Sequence, residues 1–377
     1  MLDHNFNCSR FTVGIEEELM LLDPETLDLT DGIEPILAAV PPEHAEQVKP
    51  ELFQSVLEVA TRACADVAEA TAQLAEMRRL VGGLAAEHGM LVGAAGTHPF
   101  ARCDDQRIVD RDRYIDLVGD LGFIASRELI FGTHVHVGID DPERAIYVAD
   151  GIRRHLPLLL ALSSNSPWWE GRRTNLHSSR TPVFRAFPRA GIPPHYGSWE
   201  IYSRRIARMI RSGAIDDYTY VWWDVRPHPR LGTVETRVFD QATRLEDTAA
   251  FAALTVALAH RLVARFDAGD PMVEVPWELI DDNKVRACVR GIEGELIDFD
   301  LERPVAVVEL AERLLVELEP SAAELGCLEQ LGRVRGILAE GTGSRRQIDW
   351  VDRRGGEDLR GLVEAVVALT APDPQRP

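Results

Sequence analysis

Cysteine is scarce in this sequence of 377 residues, and the few cysteines are not arranged in any recognisable site. The five are scattered and odd in number, and no two have CxxC spacing: Cys8, Cys64, Cys103, Cys288 and Cys327. This pattern argues against a disulfide framework and against a cysteine-based zinc site. We therefore expect buried or inert thiols.

Long apolar runs are missing too. No uninterrupted stretch of about 18 apolar residues occurs, and the N-terminus MLDHNFNCSRFTVG lacks the basic-then-apolar pattern of a signal peptide. We therefore expect a cytoplasmic protein with no membrane partner. Neither an internal repeat nor a linker is evident, and 45% hydrophobic residues suffice for a sizeable core, so a single domain over 1–377 is predicted.

Positive charge is in the minority, with 41 Lys and Arg against 61 Asp and Glu, a net charge of −20. Such a surface repels phosphate backbones, so we expect no nucleic-acid partner. The basic residues nevertheless cluster at 102–113, 172–189, 204–211 and 345–354. They can form surface salt bridges or line a pocket for a small anion, and the sequence leaves both readings open.

The patterns that are present predict an α+β fold. Strand-like segments cover 11–23, 55–61, 90–96, 132–140 and 233–240, and helical spacing covers 66–88, 114–129 and 142–163, with Asp66 as the N-cap of the first helix. A Pro-, Ser- and Arg-rich segment over 164–198 is predicted to be a long irregular loop. Residues 245–370 are mainly helical in pattern, and 371–377 have the composition of a disordered tail.

The stretch GIEEELMLLD, residues 14–23, places charge on a segment that otherwise has the pattern of a buried strand. Alternate strand residues point to opposite faces, so Glu17 shares the apolar face while Glu16 and Glu18 share the other, roughly 7 Å apart. Carboxylates this close repel each other unless a cation lies between them. A solvated sheet face is the alternative for this segment alone.

Two further strands repeat the pattern of ionisable pairs at i and i+2. His134 and His136 share a face in GTHVHVG, and Glu235 and Arg237 share a face in TVETRVFD. If these strands lie in one sheet with the first, their side chains form a single polar wall, to which Glu51 and Glu58 can add carboxylates. Such a wall suits Mg²⁺ or Mn²⁺, and an arginine beside it suits a phosphate group. Taken singly, an HxH or ExR pair is also compatible with a structural role.

These motifs together resemble the glutamate–cysteine ligase type 2 family of carboxylate–amine ligases and, more distantly, glutamine synthetase. The motifs that carry the resemblance are GIEEEL, LEVAT, GTHPF, GTHVHVG, ALSSNSPWWEG, SSR, WWDVRP, TVETRVFD and the late GTGSRRQ. The resemblance implies a glutamine-synthetase-like, mainly antiparallel sheet whose concave face is catalytic, with helices on its other side. It also implies ATP and Mg²⁺ or Mn²⁺ as cofactors.

Site residues follow from the same resemblance, motif by motif. The implied metal ligands are Glu16, Glu18, Glu51, Glu58, His134 and Glu235. Arg237 is implied to contact the transferred phosphate. His136 is placed near phosphates or substrate, and Arg180 and Arg226 near a substrate carboxylate or phosphate. No role is assigned to His98 of GTHPF.

The implied reaction joins the side-chain carboxylate of glutamate to the amine of cysteine, through an acyl phosphate, with release of ADP and phosphate. Another amine substrate, a metal-dependent hydrolase and a non-catalytic relative are the alternatives; all the metal carboxylates are present, which argues against the last. The 164–198 segment is the expected place for specificity. The sequence leaves open whether the chain forms a homo-oligomer.

Overall fold

The computed structural model describes residues 2–7 and 9–372. Its central feature is a seven-stranded sheet in which every neighbouring pair is antiparallel. The strands of this sheet are β1 (Val13–Leu22), β2 (Val48–Pro50), β3 (Val56–Ala60), β4 (Leu91–Gly93), β5 (Gly132–Gly138), β10 (Val225–His228) and β11 (Thr233–Asp240). Their order is β10-β11-β5-β1-β3-β2, with β4 also paired to β1.

Thirteen α-helices are found in the described part of the chain. They are α1 (Ile33–Ala39), α2 (Val67–Glu87), α3 (Asp112–Leu121), α4 (Pro142–Arg153), α5 (Leu156–Ser163), α6 (Arg180–Arg185), α7 (Trp199–Arg211), α8 (Leu245–Asp267), α9 (Trp277–Arg290), α10 (Val307–Glu324), α11 (Leu328–Glu340), α12 (Gly343–Asp352) and α13 (Leu359–Thr370). Helices α2, α4 and α8 pack against the sheet, and α10 and α11 pack against α8. The predicted α+β architecture with a mainly antiparallel sheet is confirmed.

Glu17 shows how the first strand faces the helical layer. Its side chain is fully buried and forms a two-point ion pair with Arg78 of α2, with both N–O distances 2.7 Å. Thr248 of α8 donates a third hydrogen bond to the same carboxylate at 2.7 Å. The middle glutamate of the EEE run therefore joins β1 to two helices, while its neighbours face the opposite side.

Several element boundaries differ from the sequence prediction. The helix predicted over 114–129 ends at Leu121, because Gly122 takes a positive φ of 51°. The helix predicted over 142–163 is divided into α4 and α5, with Pro157 in the first turn of α5, where its missing N–H costs nothing. Asp66 caps α2 as predicted, since its side chain accepts from the backbone N–H of Glu69 at 2.8 Å.

The segment 164–198 is less irregular than predicted. It contains helix α6 and the short strands β6 (Trp168–Trp169), β7 (Arg172–Arg173) and β8 (Ala190–Gly191); β8 pairs in parallel with β9 (Trp222–Trp223). The mainly helical C-terminal part also holds one hairpin, β12 (Glu295–Asp298) with β13 (Arg303–Ala306). The tail predicted to be disordered lies outside the described residues from 373 onward.

Helix α8 is long and apolar enough to cross a membrane by length and composition alone. In the fold, however, 72% of its most apolar stretch is buried inside the protein. It packs against α2, α4, α10 and α11, as a core helix does.

Candidate functional site

Strand register brings the ionisable residues of five strands onto one face of the sheet. The residues directly opposite each other are Glu16 and His134, Glu18 and Glu58, His136 and Glu235, and Arg226 and Glu235. Alternation along each strand is what aligns them. The polar wall expected from the i, i+2 pairs is therefore a feature of this sheet.

Three of these side chains converge most closely. Glu16, His136 and Glu235 each offer one oxygen or nitrogen, and these atoms all lie within 4.8 Å of one another. The Nε2 atom of His136 lies 3.4 Å from Glu16 and 4.0 Å from Glu235. It is buried and has no hydrogen-bond partner among the described residues. A buried nitrogen facing two carboxylates is suited to a shared cation.

His134 lies on the neighbouring side of Glu16. Its Nδ1 is 3.0 Å from Glu16 Oε2, and its Nε2 is 3.9 Å from Glu18 and also lacks a partner within the described chain. Burial, followed by the nearby Arg237, lowers the pKa of His134 to about 4. The ring is therefore neutral near pH 7, which leaves one nitrogen lone pair available to a ligand.

Glu16 and Glu235 are held ionised despite burial. Burial alone would raise the pKa of Glu16, but His136 and His134 together hold it well below its usual value. Arg226, Arg237 and His136 likewise overcome burial and hold the pKa of Glu235 well below its usual range. This half of the wall carries balanced charge.

The other half of the wall has an excess of carboxylates. Burial raises the pKa of Glu18 to about 7, against the attraction of Arg180 and Arg237. Burial and then Glu16 raise the pKa of Glu58, although Lys49 lies 3.0 Å away. Burial, Glu58 and Glu18 raise the pKa of Glu51 well above its ordinary value. A group of carboxylates that repel each other in this way is a place where a cation is stabilised.

The two arginines of the wall differ in how many donors remain free. Arg226 donates Nε to Glu235 at 2.6 Å and Nη2 at 3.3 Å, and its Nη1 bonds the carbonyls of Thr219 and Val221. Four of its five N–H groups are thus used within the protein. Arg237 pairs with Glu235 through Nη1, while its buried Nε has no partner in the described chain. Arg237 is thus the freer of the two to meet a ligand.

A cavity of about 340 Å³ lies against this wall. Apart from wall residues, it is lined by Lys49, Arg113, Tyr114, Glu128, Arg180, Phe184, Thr219, Tyr220 and Trp222. Glu51 also lines it, beside β2. Two members of the predicted arginine clusters, Arg113 and Arg180, reach the cavity, whereas others form surface pairs, such as Arg173 with Asp352.

Glu128 is the acidic cavity residue that sequence reasoning missed. It lies between a 3₁₀ turn and β5, whereas the sequence pattern places it in the helix predicted over 114–129. Burial, followed by Glu18, raises its pKa to about 8. No hydrogen bond or ion pair to its carboxylate is found within 2–7 and 9–372.

His98 of GTHPF is placed away from the wall and organises a turn. Its Nε2 lies 3.0 Å from the carbonyl of Leu27, and its Nδ1 accepts the backbone N–H groups of Phe100 and Ala101 at 3.2 and 2.9 Å. Because Nδ1 accepts, the ring is neutral with its proton on Nε2. Burial lowers the pKa of His98 to about 4.

Comparison with known proteins identifies the family to which the chain is similar. A family model described as glutamate-cysteine ligase family 2 matches residues 12–368. A protein of Rubrobacter xylanophilus with the provisional name glutamate–cysteine ligase 2-1 is 42% identical over 364 residues, covering 97% of this chain and 96% of that protein.

Solved structures share the fold. The crystal structure of a glutamate–cysteine ligase from Francisella tularensis in complex with AMP matches with a TM-score of 0.72 at 14% identity, covering 98% of this chain and 90% of the other. The ligase PafA, solved with the ubiquitin-like protein Pup, matches with a TM-score of 0.54 at 14% identity, covering 97% and 74%. The glutamine-synthetase-like fold class predicted from the motifs is confirmed.

Proposed function

The chain belongs to the glutamate-cysteine ligase family 2 and is a C–N bond-forming ligase, and from this premise we propose its substrates, cofactors and mechanism. It joins the side-chain carboxylate of glutamate to the amine of cysteine and converts ATP to ADP and phosphate. One observation carries the proposal: carboxylates in excess, the unpartnered Nε2 of His134 and Arg237 all line one cavity.

The donor set fits Mg²⁺ or Mn²⁺ bound with the triphosphate. Glu16, His136 and Glu235 would hold one ion, and the excess carboxylates Glu18, Glu51 and Glu58 would hold others, with His134 between the two groups. When bound, such ions screen the charge of the β- and γ-phosphates. Oxygen and imidazole ligands match these hard cations better than a structural zinc site does.

The chain's own residues then do three things. Arg237 points a planar guanidinium at the transferring phosphoryl group and stabilises the charge that develops on it. Arg180 binds an anionic group of the substrate or nucleotide. Arg226 holds Glu235 and the turn at Thr219 to Val221, so it acts by positioning.

The chemistry has two steps. The glutamate carboxylate attacks the γ-phosphorus of ATP, ADP leaves, and an acyl phosphate forms. The amine of the second substrate then attacks the acyl carbon, phosphate leaves with the bonding electron pair, and the amine loses a proton. Among the residues that the structure describes, no serine or cysteine lines the cavity, and Cys64, Cys103, Cys288 and Cys327 are buried.

A different amine is the second candidate, and Glu128 favours it. Glu128 has no protein partner in the described chain and a pKa of about 8, so an acceptor that carries positive charge beside its reacting amine would stabilise its ionised form in the cavity. A panel of amines tested at equal concentration with glutamate and ATP separates the two. Cysteine as the best acceptor supports the first proposal; a diamine as the best acceptor supports the second.

The direct test is ADP release by the purified protein with Mg²⁺, ATP, glutamate and cysteine, with each component omitted in turn. We expect ADP and one amide product per turnover, and loss of both in Glu16→Gln. Glu25 is exposed and lies in the turn that follows β1, so Glu25→Gln serves as the matched control and should be fully active. Product formation without ATP, or release of AMP and pyrophosphate, would contradict the proposal.

A further inference from the structure

Asp240, at the end of β11, has an unusual environment for a carboxylate. It is fully buried, and no ion pair to it occurs within the described residues. It accepts hydrogen bonds from the backbone N–H of Asn165 at 2.8 Å, from Ser166 Oγ at 2.6 Å and from Ser178 Oγ at 2.8 Å. All three donors come from the 164–198 segment, so one carboxylate gathers two distant parts of that segment.

The two serines connect Asp240 to the first turn of helix α6 through hydrogen bonds. Because an ionised carboxylate only accepts, each serine must donate its proton to Asp240 and turn its lone pairs elsewhere. Ser166 Oγ accepts the backbone N–H of Arg180 at 3.2 Å, and Ser178 Oγ accepts that of Thr181 at 3.3 Å. The charge of Asp240 thus sets the direction of two hydroxyls, one of which holds the backbone of Arg180 and the other that of Thr181.

The guanidinium group of Arg180 is also held by contacts within the protein. Its Nη2 donates to the carbonyl of Arg237 at 3.2 Å, and its guanidinium lies 5.5 Å from the ring of Phe184. A Cβ atom added to Gly132 would lie 2.3 Å from Nη2, so only glycine leaves room for the guanidinium there. Its buried Nε has no partner in the described chain, and the side chain lines the cavity.

We propose that Asp240 is a positioning residue that sets Arg180 for an anionic group of the substrate or nucleotide, and that Gly132 keeps the space its guanidinium needs. This inference rests on the proposed function of the cavity. Misplacing a charged donor by about 1 Å can cost roughly 10²-fold in rate, so a residue remote from the chemistry has a measurable effect.

A double-mutant cycle tests the proposal. Asp240→Asn keeps the shape but replaces an acceptor by an amide that must also donate, which reverses at least one of the three hydrogen bonds. We expect Arg180→Ala to lower kcat/KM by about 10²-fold. Asp240→Asn should lower kcat/KM by about 10-fold or more, and the kinetic constant that it changes, kcat or KM, should be the one that Arg180→Ala changes. In the double variant, the loss should not exceed that of Arg180→Ala by more than about threefold.

Gly132→Ala provides a second route to the same guanidinium that keeps the Asp240 side chain, although Gly132 lies directly opposite Asp240 in the β5–β11 register. It should change the same kinetic parameter as Arg180→Ala. The matched control is Asp150→Asn, because Asp150 is also buried and accepts two backbone N–H groups, from Tyr196 and Gly197, but does not line the cavity. It should lower the melting temperature and leave kcat/KM unchanged.

Additive losses in the double variant would overturn the positioning role, as would a fully active Arg180→Ala. If the wild-type protein forms no amide, the proposed function is wrong. The positioning of Arg180 by Asp240 can then still be tested by the crystal structure of Asp240→Asn. A guanidinium that moves away from the carbonyl of Arg237 supports it; an unmoved guanidinium overturns it.

Discussion

At the residue scale, three consecutive glutamates have three different environments. Glu16 lies beside two imidazoles, Glu17 pairs with Arg78 and Thr248, and Glu18 is influenced by two arginines, Arg180 and Arg237, as well as by the carboxylate of Glu58. Strand alternation predicted the separation of Glu17 from its neighbours. It could not predict Arg78 as the partner, because that contact spans 61 positions and depends on how α2 crosses the sheet.

Substitutions on the wall should have opposite effects on the stability of the metal-free protein. Glu18→Gln removes a carboxylate whose ionised form is disfavoured by burial, so the free energy of unfolding in EDTA should rise by about 1 kcal/mol at pH 8. Glu235→Gln leaves Arg226 and Arg237 without their buried partner, so the free energy of unfolding should fall by about 3 kcal/mol. Urea unfolding measures both. Equal changes of the same sign would show that the wall does not have one acidic and one balanced half.

His98 should make the protein lose stability in mild acid. Its folded pKa of about 4 lies below the unfolded value of about 6.5, so between these values only the unfolded chain binds the proton. Stability therefore falls as pH decreases from 6.5 to 4, by up to about 3 kcal/mol from this group.

Urea unfolding of wild type and His98→Gln at pH 7, 6 and 5 measures this contribution. The variant should be less stable at pH 7 but should lose less stability on acidification. Substitution of the exposed His88, just after α2, serves as the control. Parallel pH curves for wild type and His98→Gln would refute the role of a buried neutral ring.

At the element scale, the late motif GTGSRRQ is the N-terminal turn of α12, and it holds the start of the 164–198 segment. Gln347 Nε2 donates to Asn165 at both its backbone carbonyl, 3.1 Å, and its side-chain oxygen, 2.8 Å. The backbone N–H of Ser344 donates to the carbonyl of Ser164 at 2.9 Å. The sequence resemblance includes this motif, but the contact itself joins residues 182 positions apart, which no local pattern encodes.

Gln347→Ala should loosen the 164–198 segment. It leaves two buried acceptors of Asn165 without a donor, so the free energy of unfolding should fall by about 1 to 3 kcal/mol. Limited proteolysis should also cut within 164–198 faster than in wild type. Gln73→Ala, which removes an exposed hydrogen bond to the backbone of Arg62, is the control and should leave the cleavage rate unchanged. Unchanged cleavage in Gln347→Ala would contradict this role for α12.

At the scale of the whole molecule, the predictable part of the site is the part built on long strands. Glu16, Glu18, His134 and Glu235 were predictable because period-2 alternation fixes their direction. Lys49, Tyr114 and Glu128 lie on short strands, a helix or turns that reach the cavity only through tertiary packing. The net charge of −20 led us to expect no nucleic-acid partner, but it did not predict where the arginines gather.

Transfer of oxygen from carboxylate to phosphate tests the central claim, that this fold ligates a carboxylate to an amine through an acyl phosphate. Glutamate labelled with ¹⁸O in its side-chain carboxylate is incubated with the enzyme, Mg²⁺, ATP and cysteine, and the phosphate and amide are analysed by mass spectrometry. The account predicts one labelled oxygen in phosphate and one in the amide carbonyl for each product formed. Label in AMP or in water, with none in phosphate, would contradict it even if the amide were correct.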